Sequence, residues 1–149
     1  MAWLRCLYAD YLVTGIWSRK AYKEAARYGD INEIAAVSEH KPIKITDSQT
    51  WQLNQNAVYA HCCLNETIEG IEFQQIPDTG QVPLVADVSS CLFAKEIDVS
   101  QYGILYACAQ KNFGPAGLTL VIIRDDLLSE PREQTPTLLS YKTQVESQS

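Results

Sequence analysis

The sequence predicts an α/β layer structure, and three observations carry that prediction. Short apolar runs bounded by turn residues recur at residues 9–13, 34–37, 57–64, 83–88, 104–109 and 118–123, each of a length that suits a buried strand. A stretch with helical spacing separates the first two runs, which is the alternation expected when strands and helices pack in layers. The composition, 46% hydrophobic and 20% charged, is that of a folded domain and not of a disordered chain. At 149 residues the length fits one domain, which at this size buries roughly 70% of the surface its unfolded chain exposes.

Each element has a local cause. Residues 9–13 alternate and stop at Thr14-Gly15. Residues 17–28 read as a helix, with Ser18 as its cap, Trp17, Ala21, Ala25 and Tyr28 at helical spacing, and Gly29 closing it. A short strand is expected at 34–37, then a polar, broken loop over 42–55 with local structure around Trp51. The run at 57–64 leads into Asn65-Glu66-Thr67. After the turn signals Pro77-Asp78-Thr79-Gly80, the run at 83–88 emerges in the polar cluster Asp87-Val88-Ser89-Ser90, a site-like position. The run at 104–109 is followed by Gln110-Lys111-Asn112, and the run at 118–123 by Arg124-Asp125-Asp126, which reads as the start of a short helix. From residue 130 the chain turns polar and loses periodicity; there are no internal repeats and no interdomain linker. The order of the strands is not legible.

Charge and cysteine usage exclude several classes. A net charge of −6 and a pI near 4.8 argue against nucleic-acid binding, which needs a basic face. The apolar amino-terminal stretch is interrupted by Arg5 and Asp10 and has no cleavage site, and no run reaches the roughly 20 apolar residues of a membrane span. A cytoplasmic protein is expected. The five cysteines, Cys6, Cys62, Cys63, Cys91 and Cys108, form an odd set without paired spacing and fit a reducing compartment. His61 and Cys63 could share one face of a strand, but no second pair at ligand spacing completes a metal site.

Two residues suggest chemistry. Lys111 stands at the end of one apolar run, and an amine whose pKa is lowered by burial or by nearby positive charge is placed for Schiff-base chemistry. Taken alone it reads as a solvated loop lysine. Asp87, 24 positions earlier, closes another run and alone reads as a cap or turn residue. If both runs lie in one sheet, the two side chains converge at its carboxyl edge, where α/β sheets place ligands. Pyridoxal phosphate needs such a pair, a lysine for its aldehyde and an aspartate to keep its ring nitrogen protonated.

The strings "ADYLVTGIW", "HCCLNETIEGIE", "VADVSS" and "IDVSQYGILYACAQKNFGPAGLTLVIIRDDLL", with their spacing, resemble the phosphoserine aminotransferase family, fold-type-I enzymes dependent on pyridoxal phosphate. The resemblance covers residues 9–141; the ends, 1–8 and 142–149, fit it less well. It implies that residues 1–149 are part of a three-layer α/β/α large domain. It further implies that Lys111 forms the Schiff base with pyridoxal phosphate, that Asp87 pairs with the pyridinium nitrogen and that Trp17 stacks on the ring. Thr67 would bond to the 3-hydroxyl and Gln110 would help to hold the phosphate. Singly, Trp17 could be a core aromatic, Thr67 a cap and Gln110 a strand-end polar residue. The implied reaction moves an amino group from L-glutamate to 3-phosphohydroxypyruvate, giving O-phospho-L-serine and 2-oxoglutarate on the route to serine, in a homodimer. Leu64 departs from the proline that the family commonly has before Asn-Glu-Thr. Family members run to over twice this length and carry elsewhere a Gly-Arg phosphate turn, a substrate-carboxylate arginine, an Asn-Thr pair reaching the partner's cofactor and a smaller domain. The expectation is therefore that the chain alone lacks appreciable turnover; the competing reading is a truncated, non-catalytic chain, inert or associating with a full-length one.

Overall fold

A computed structural model describes residues 8–38, 41, 43–128, 131, 133 and 135–147. The amino-terminal stretch through residue 7, with Cys6, and the loop's first residue, Pro42, lie outside the described residues. The centre of the fold is a six-stranded sheet in the order β2-β1-β3-β6-β7-β8. Its strands are β1 (Tyr8–Val13), β2 (Asp30–Ala35), β3 (Tyr59–Cys63), β6 (Leu84–Asp87), β7 (Ile104–Cys108) and β8 (Thr119–Ile123). The first five are mutually parallel, and β8 runs antiparallel to β7. Two short strands, β4 (Asn65–Glu66) and β5 (Ile71–Glu72), form a separate antiparallel ribbon.

Helix α1 (Ile16–Ala25) crosses from β1 to β2. It lays Ala21, Tyr22 and Ala25 on Ala9, Tyr11 and Val13, the outward-facing set of β1. The alternate set, Leu12 with Ala60, Cys62, Leu84, Ala86 and Leu105, points to the other face and joins the main core. Both faces of β1 are thus covered and, apart from the buried Asp10 on the Leu12 face, apolar, which is why the strand reads as a hydrophobic run broken only there. Beyond β3 the α1 face is more open. There a cavity of about 520 Å³ is lined by Tyr11, His61, Val85, Ile104 and Tyr106, with Tyr141 at its margin.

Several expectations shift. The helix ends at Ala25 and not at Tyr28; a turn carries the chain from there to β2. Ser18 is not the cap residue. Gly15 occupies that position, and Ser18, three residues on, accepts hydrogen bonds at Oγ from the Thr14 and Gly15 N–H groups. β2 begins at Asp30, four residues before the expected start, because ladder pairing with β1 recruits polar residues at an edge where side chains stay solvated. The short helix after β8 is a 3₁₀ turn over Asp125–Leu127. The carboxyl-terminal region, read as polar and without periodicity, contains α3 (Tyr141–Glu146), capped by Ser140 Oγ, which accepts from the Thr143 N–H. The loop around Trp51 carries a 3₁₀ turn at Ser48–Thr50. Among the described residues no helix is long and apolar enough to cross a membrane, and no group of three or more His, Cys, Asp or Glu side chains is placed to hold a metal ion.

Candidate active site

The winding of the sheet creates the site. From β1 the chain crosses through α1 to β2 on one side, then returns to place β3 on the other side of β1. Neighbouring strands whose connections leave in opposite directions open a crevice at their carboxyl ends, the usual ligand position in open α/β sheets. Here that crevice lies between the β1–α1 turn, Thr14-Gly15, and the segment after β3, Asn65 to Gly70.

The four backbone donors at the start of a helix have no partner in the helix, and in α1 all four are met. The Gly15 N–H goes to Ser18 Oγ (3.1 Å), and the Ile16 N–H to Glu69 Oε1 (2.9 Å). The Trp17 N–H reaches Glu66 Oε2 (2.9 Å), and the Ser18 N–H reaches Glu66 Oε1 (2.8 Å). Ser18 Oγ–H also donates to Glu66 Oε1 at 2.6 Å. Glu66 is wholly buried. A buried carboxylate is tolerated when hydrogen-bonded to charge-complementary donors, and the positive end of a helix supplies them.

The same two segments meet through side chains. Trp17 Nε1–H donates to Thr67 Oγ1 at 3.0 Å, which leaves the threonine O–H free to donate elsewhere. Lys111 Nζ lies over the Trp17 ring, 4.6 Å from its centroid, and Lys20 Nζ lies 4.8 Å from the same centroid; both are cation–π distances. Lys111 comes from α2 (Ala109–Asn112), a single turn that starts where β7 ends. Its side chain is exposed, unlike the buried joint suggested by the flanking apolar runs, because that turn lifts it above the sheet edge.

Asp87 ends β6, which is parallel to and paired with β7 in a register that sets Asp87 beside Tyr106. Asp87 and Lys111 therefore do emerge at one edge of one sheet. Asp87 Oδ1 accepts from the Ser89 N–H (2.9 Å) and the Ser89 Oγ–H (2.6 Å), and Ser89 Oγ accepts from the Cys108 N–H (3.0 Å). Its other oxygen, Oδ2, has no hydrogen bond among the described residues. Cys63 is paired in register with Asp87. Burial pushes its thiol far up, the Asp87 and Glu66 carboxylates add to that, and Lys111 opposes it. Gln110 precedes Lys111 on α2, exposed, at the same edge, with no hydrogen bond among the described residues.

The structure thus brings Thr67 and Lys111 each into contact with Trp17, holds Asp87 at the end of the strand beside β7, and leaves Gln110 without a hydrogen bond among the described residues. Sequence reasoning did not single out Glu66, Glu69 or Ser89 as site residues. Ser89 was within reach as part of the polar cluster after β6, whereas Glu66 acts on a helix 48 residues away in the chain and leaves no local signal.

Residues 8–143 match the class-V aminotransferase family. The chain belongs to that family. Within it, the chain is 50% identical over 139 residues to the phosphoserine aminotransferase of Ectopseudomonas mendocina, covering 93% of this chain and 38% of that protein. The solved phosphoserine aminotransferase of Bacillus circulans subsp. alkalophilus superposes with a TM-score of 0.87 at 44% identity, covering 95% of this chain and 39% of that one. A pyridoxal-phosphate-bound phosphoserine aminotransferase from Trichomonas vaginalis gives 0.86 at 41% identity, covering 97% of this chain and 41% of that one. The chain spans about two fifths of the length of these class-V aminotransferases. The mixed sheet with its helices matches the pyridoxal-phosphate-dependent aminotransferase fold expected from the resemblance, of which the chain covers part.

Proposed function

We propose that this chain carries the cofactor-binding part of a phosphoserine aminotransferase that uses pyridoxal phosphate to transfer an amino group from L-glutamate to 3-phosphohydroxypyruvate. The observation that carries the reading is the arrangement on Trp17: an indole face with an amine 4.6 Å above it and a threonine hydroxyl fixed at its rim. The donor set fits a substituted pyridine. An aromatic face stacks on the ring, and a carboxylate whose one oxygen is saturated by Ser89 keeps the other for a ring N–H. Thr67 Oγ–H is free to donate to a ring oxygen, and Gln110 is placed at the edge to meet a phosphate. When bound, pyridoxal phosphate supplies an electron sink that stabilises negative charge at a substrate α-carbon. Lys111 Nζ would hold the cofactor covalently and, as a free amine, would carry a proton to and from that carbon. Trp17 fixes the plane in which this happens, and Asp87 keeps a positive ring nitrogen favourable.

The family resemblance extends the reading to a homodimer in the cytoplasm, with O-phospho-L-serine and 2-oxoglutarate as products. Purified protein with pyridoxal phosphate, reduced with borohydride and peptide-mapped, should carry the pyridoxyl group on Lys111, and Lys111→Ala should abolish that label. Lys20 is the informative competitor, since it flanks the same indole; label on Lys20, or spread over Lys23, Lys41 and Lys142 and unchanged by Lys111→Ala, would sink the assignment. Glutamate-dependent consumption of 3-phosphohydroxypyruvate separates a working enzyme from the competing reading of a non-catalytic chain.

A further inference from the structure

Glu66 has no part in the chemistry above, yet it is wholly buried and spends both oxygens on the start of α1. Its bonds fall on the backbone of Trp17 and on the backbone and hydroxyl of Ser18, while the next residue in the chain, Thr67, holds the Trp17 indole from the other end. Glu69 takes the Ile16 N–H. Gly15 leaves room for this approach: a Cβ there would stand 2.7 Å from Glu66 Cδ and 2.7 Å from Glu69 Oε2. The turn from Glu66 to Gly70 closes on itself through the Gly70 N–H to Glu66 carbonyl bond (2.8 Å), with Gly70 at a φ of 69°.

We propose that Glu66 is a positioning residue for the cofactor site, a buried carboxylate clamp that fixes the Trp17 ring plane and the Thr67 hydroxyl as one rigid unit across the crevice. The proposal rests on the pyridoxal-phosphate reading of Trp17 and Thr67, but the clamp itself acts on the protein alone. Trp17 sits in the first turn of a helix, where an uncapped end frays. A stacking platform on a fraying turn would sample several ring planes. The two-pronged bond to consecutive N–H groups removes that freedom, and because Thr67 adjoins Glu66, platform and hydroxyl move together. Side chains whose rotamers are locked by such supporting hydrogen bonds hold a site to the required geometry. Glu66→Gln keeps the volume but turns an amide N–H₂ toward either the Trp17 or the Ser18 N–H, donor against donor, so it loosens the clamp without opening a cavity.

The test uses protein labelled with 5-fluorotryptophan and read by fluorine NMR, with the Trp17 line assigned through Trp17→Phe. Without pyridoxal phosphate, Glu66→Gln should shift and broaden the Trp17 line and leave the Trp51 line in place, since Trp51 donates to Thr46 and packs on Phe73 away from the clamp. An unmoved Trp17 line, or Trp17 and Trp51 lines displaced together as in a general loosening, would overturn the proposal. With pyridoxal phosphate, the variant should bind about ten-fold more weakly, as expected for loss of one charge-assisted bond, and show a displaced absorption maximum. Binding and maximum equal to the parent protein would also overturn it. Should Glu66→Gln fail to fold, Ser18→Ala removes the hydroxyl that donates to Glu66 and accepts from the Thr14 and Gly15 N–H groups, and Glu69→Ala removes the acceptor of the Ile16 N–H, both leaving Glu66 in place, and the same selective shift of the Trp17 line is required of them. Failure of the parent protein to bind pyridoxal phosphate would strike the functional reading and leave the clamp to stand or fall by the first arm.

Discussion

Ser89 and His61 show how single residues set the character of this sheet edge. Ser89 joins Asp87 Oδ1 to the Cys108 N–H, so one hydroxyl ties the end of β6 to the end of β7. Ser89→Ala leaves the Cys108 N–H without its acceptor and should destabilise by about 1–3 kcal/mol; Asp87 Oδ1 keeps the backbone N–H of residue 89 but loses the hydroxyl, so its orientation loosens. Denaturant unfolding checks the first effect, and a weaker grip on pyridoxal phosphate in titration checks the second. His61 is buried against Tyr11, its ring stacked at 4.5 Å, with Nε2 2.9 Å from Tyr106 Oη and Nδ1 without a partner among the described residues. Burial lowers its pKa to about 4. Between the unfolded value near 6.5 and about 4 the unfolded chain binds the extra proton, so stability is full above that window and falls with pH inside it, by about 1 kcal/mol per unit. Melting temperatures should drop between pH 6.5 and 4, and His61→Leu should flatten that slope; an unchanged slope would place the acid sensitivity elsewhere. Lys111 and Asp87 were legible because residue type and position at a strand end both point to chemistry. Glu66 was not, since a carboxylate that caps a distant helix has no spacing to betray it.

Among the elements, strands built of apolar residues were read well, the edge strand β8 included, and the polar edge strand β2 and the ribbon strands poorly. β3 announces itself as an apolar run because both its faces are covered, and β6 and β7 do so because the side chains on their open face, Val85, Ile104 and Tyr106, are themselves largely apolar. β2 hides its first four residues, Asp30 to Glu33, because an edge strand tolerates polar side chains. β4 and β5, of two residues each, are too short for any periodicity, and the ribbon exists because its turn is tied to α1. Ser18 was rightly drawn to the helix start, but a serine three residues in can serve the cap from inside the first turn, which sequence alone does not distinguish. This coupling of ribbon and helix makes Gly15 the sensitive position. Its backbone is extended and strain-free, so Gly15→Ala acts by collision with the side chains of Glu66 and Glu69, of which the Glu66 carboxylate is held by three hydrogen bonds. A loss of about 1–3 kcal/mol is expected, the usual range for overpacking. Gly15→Ala combined with Glu66→Ala should lose less than the sum of the two single changes, a coupling that a double-mutant cycle in thermal unfolding would read; full additivity would mean that the collision is relieved elsewhere.

At the scale of the molecule, the two sheet faces are unequally dressed. One face carries the main core, from Leu12 to Ala107, under loops that bring in Phe73, Val82 and Leu92. The other is covered by α1 only as far as β3, and beyond it Val85, Ile104 and Tyr106 border the open cavity of about 520 Å³. β8 adds an outer edge with Leu118 58% and Ile122 38% exposed, and a strand edge of unpaired backbone groups beside apolar side chains is a template for pairing with another chain. The sequence showed the apolar runs but not the strand order, so it could not show which run would become an edge. The isolated chain should therefore associate as its concentration rises, seen as a mass above the monomer in light scattering on a sizing column. Ile122→Lys places a charge on that edge without touching the residues at the crevice, and should shift the population toward monomer. A single monomer peak across the concentration range, coupled to a cooperative melt, would show instead that the described layers shield this sheet well enough on their own.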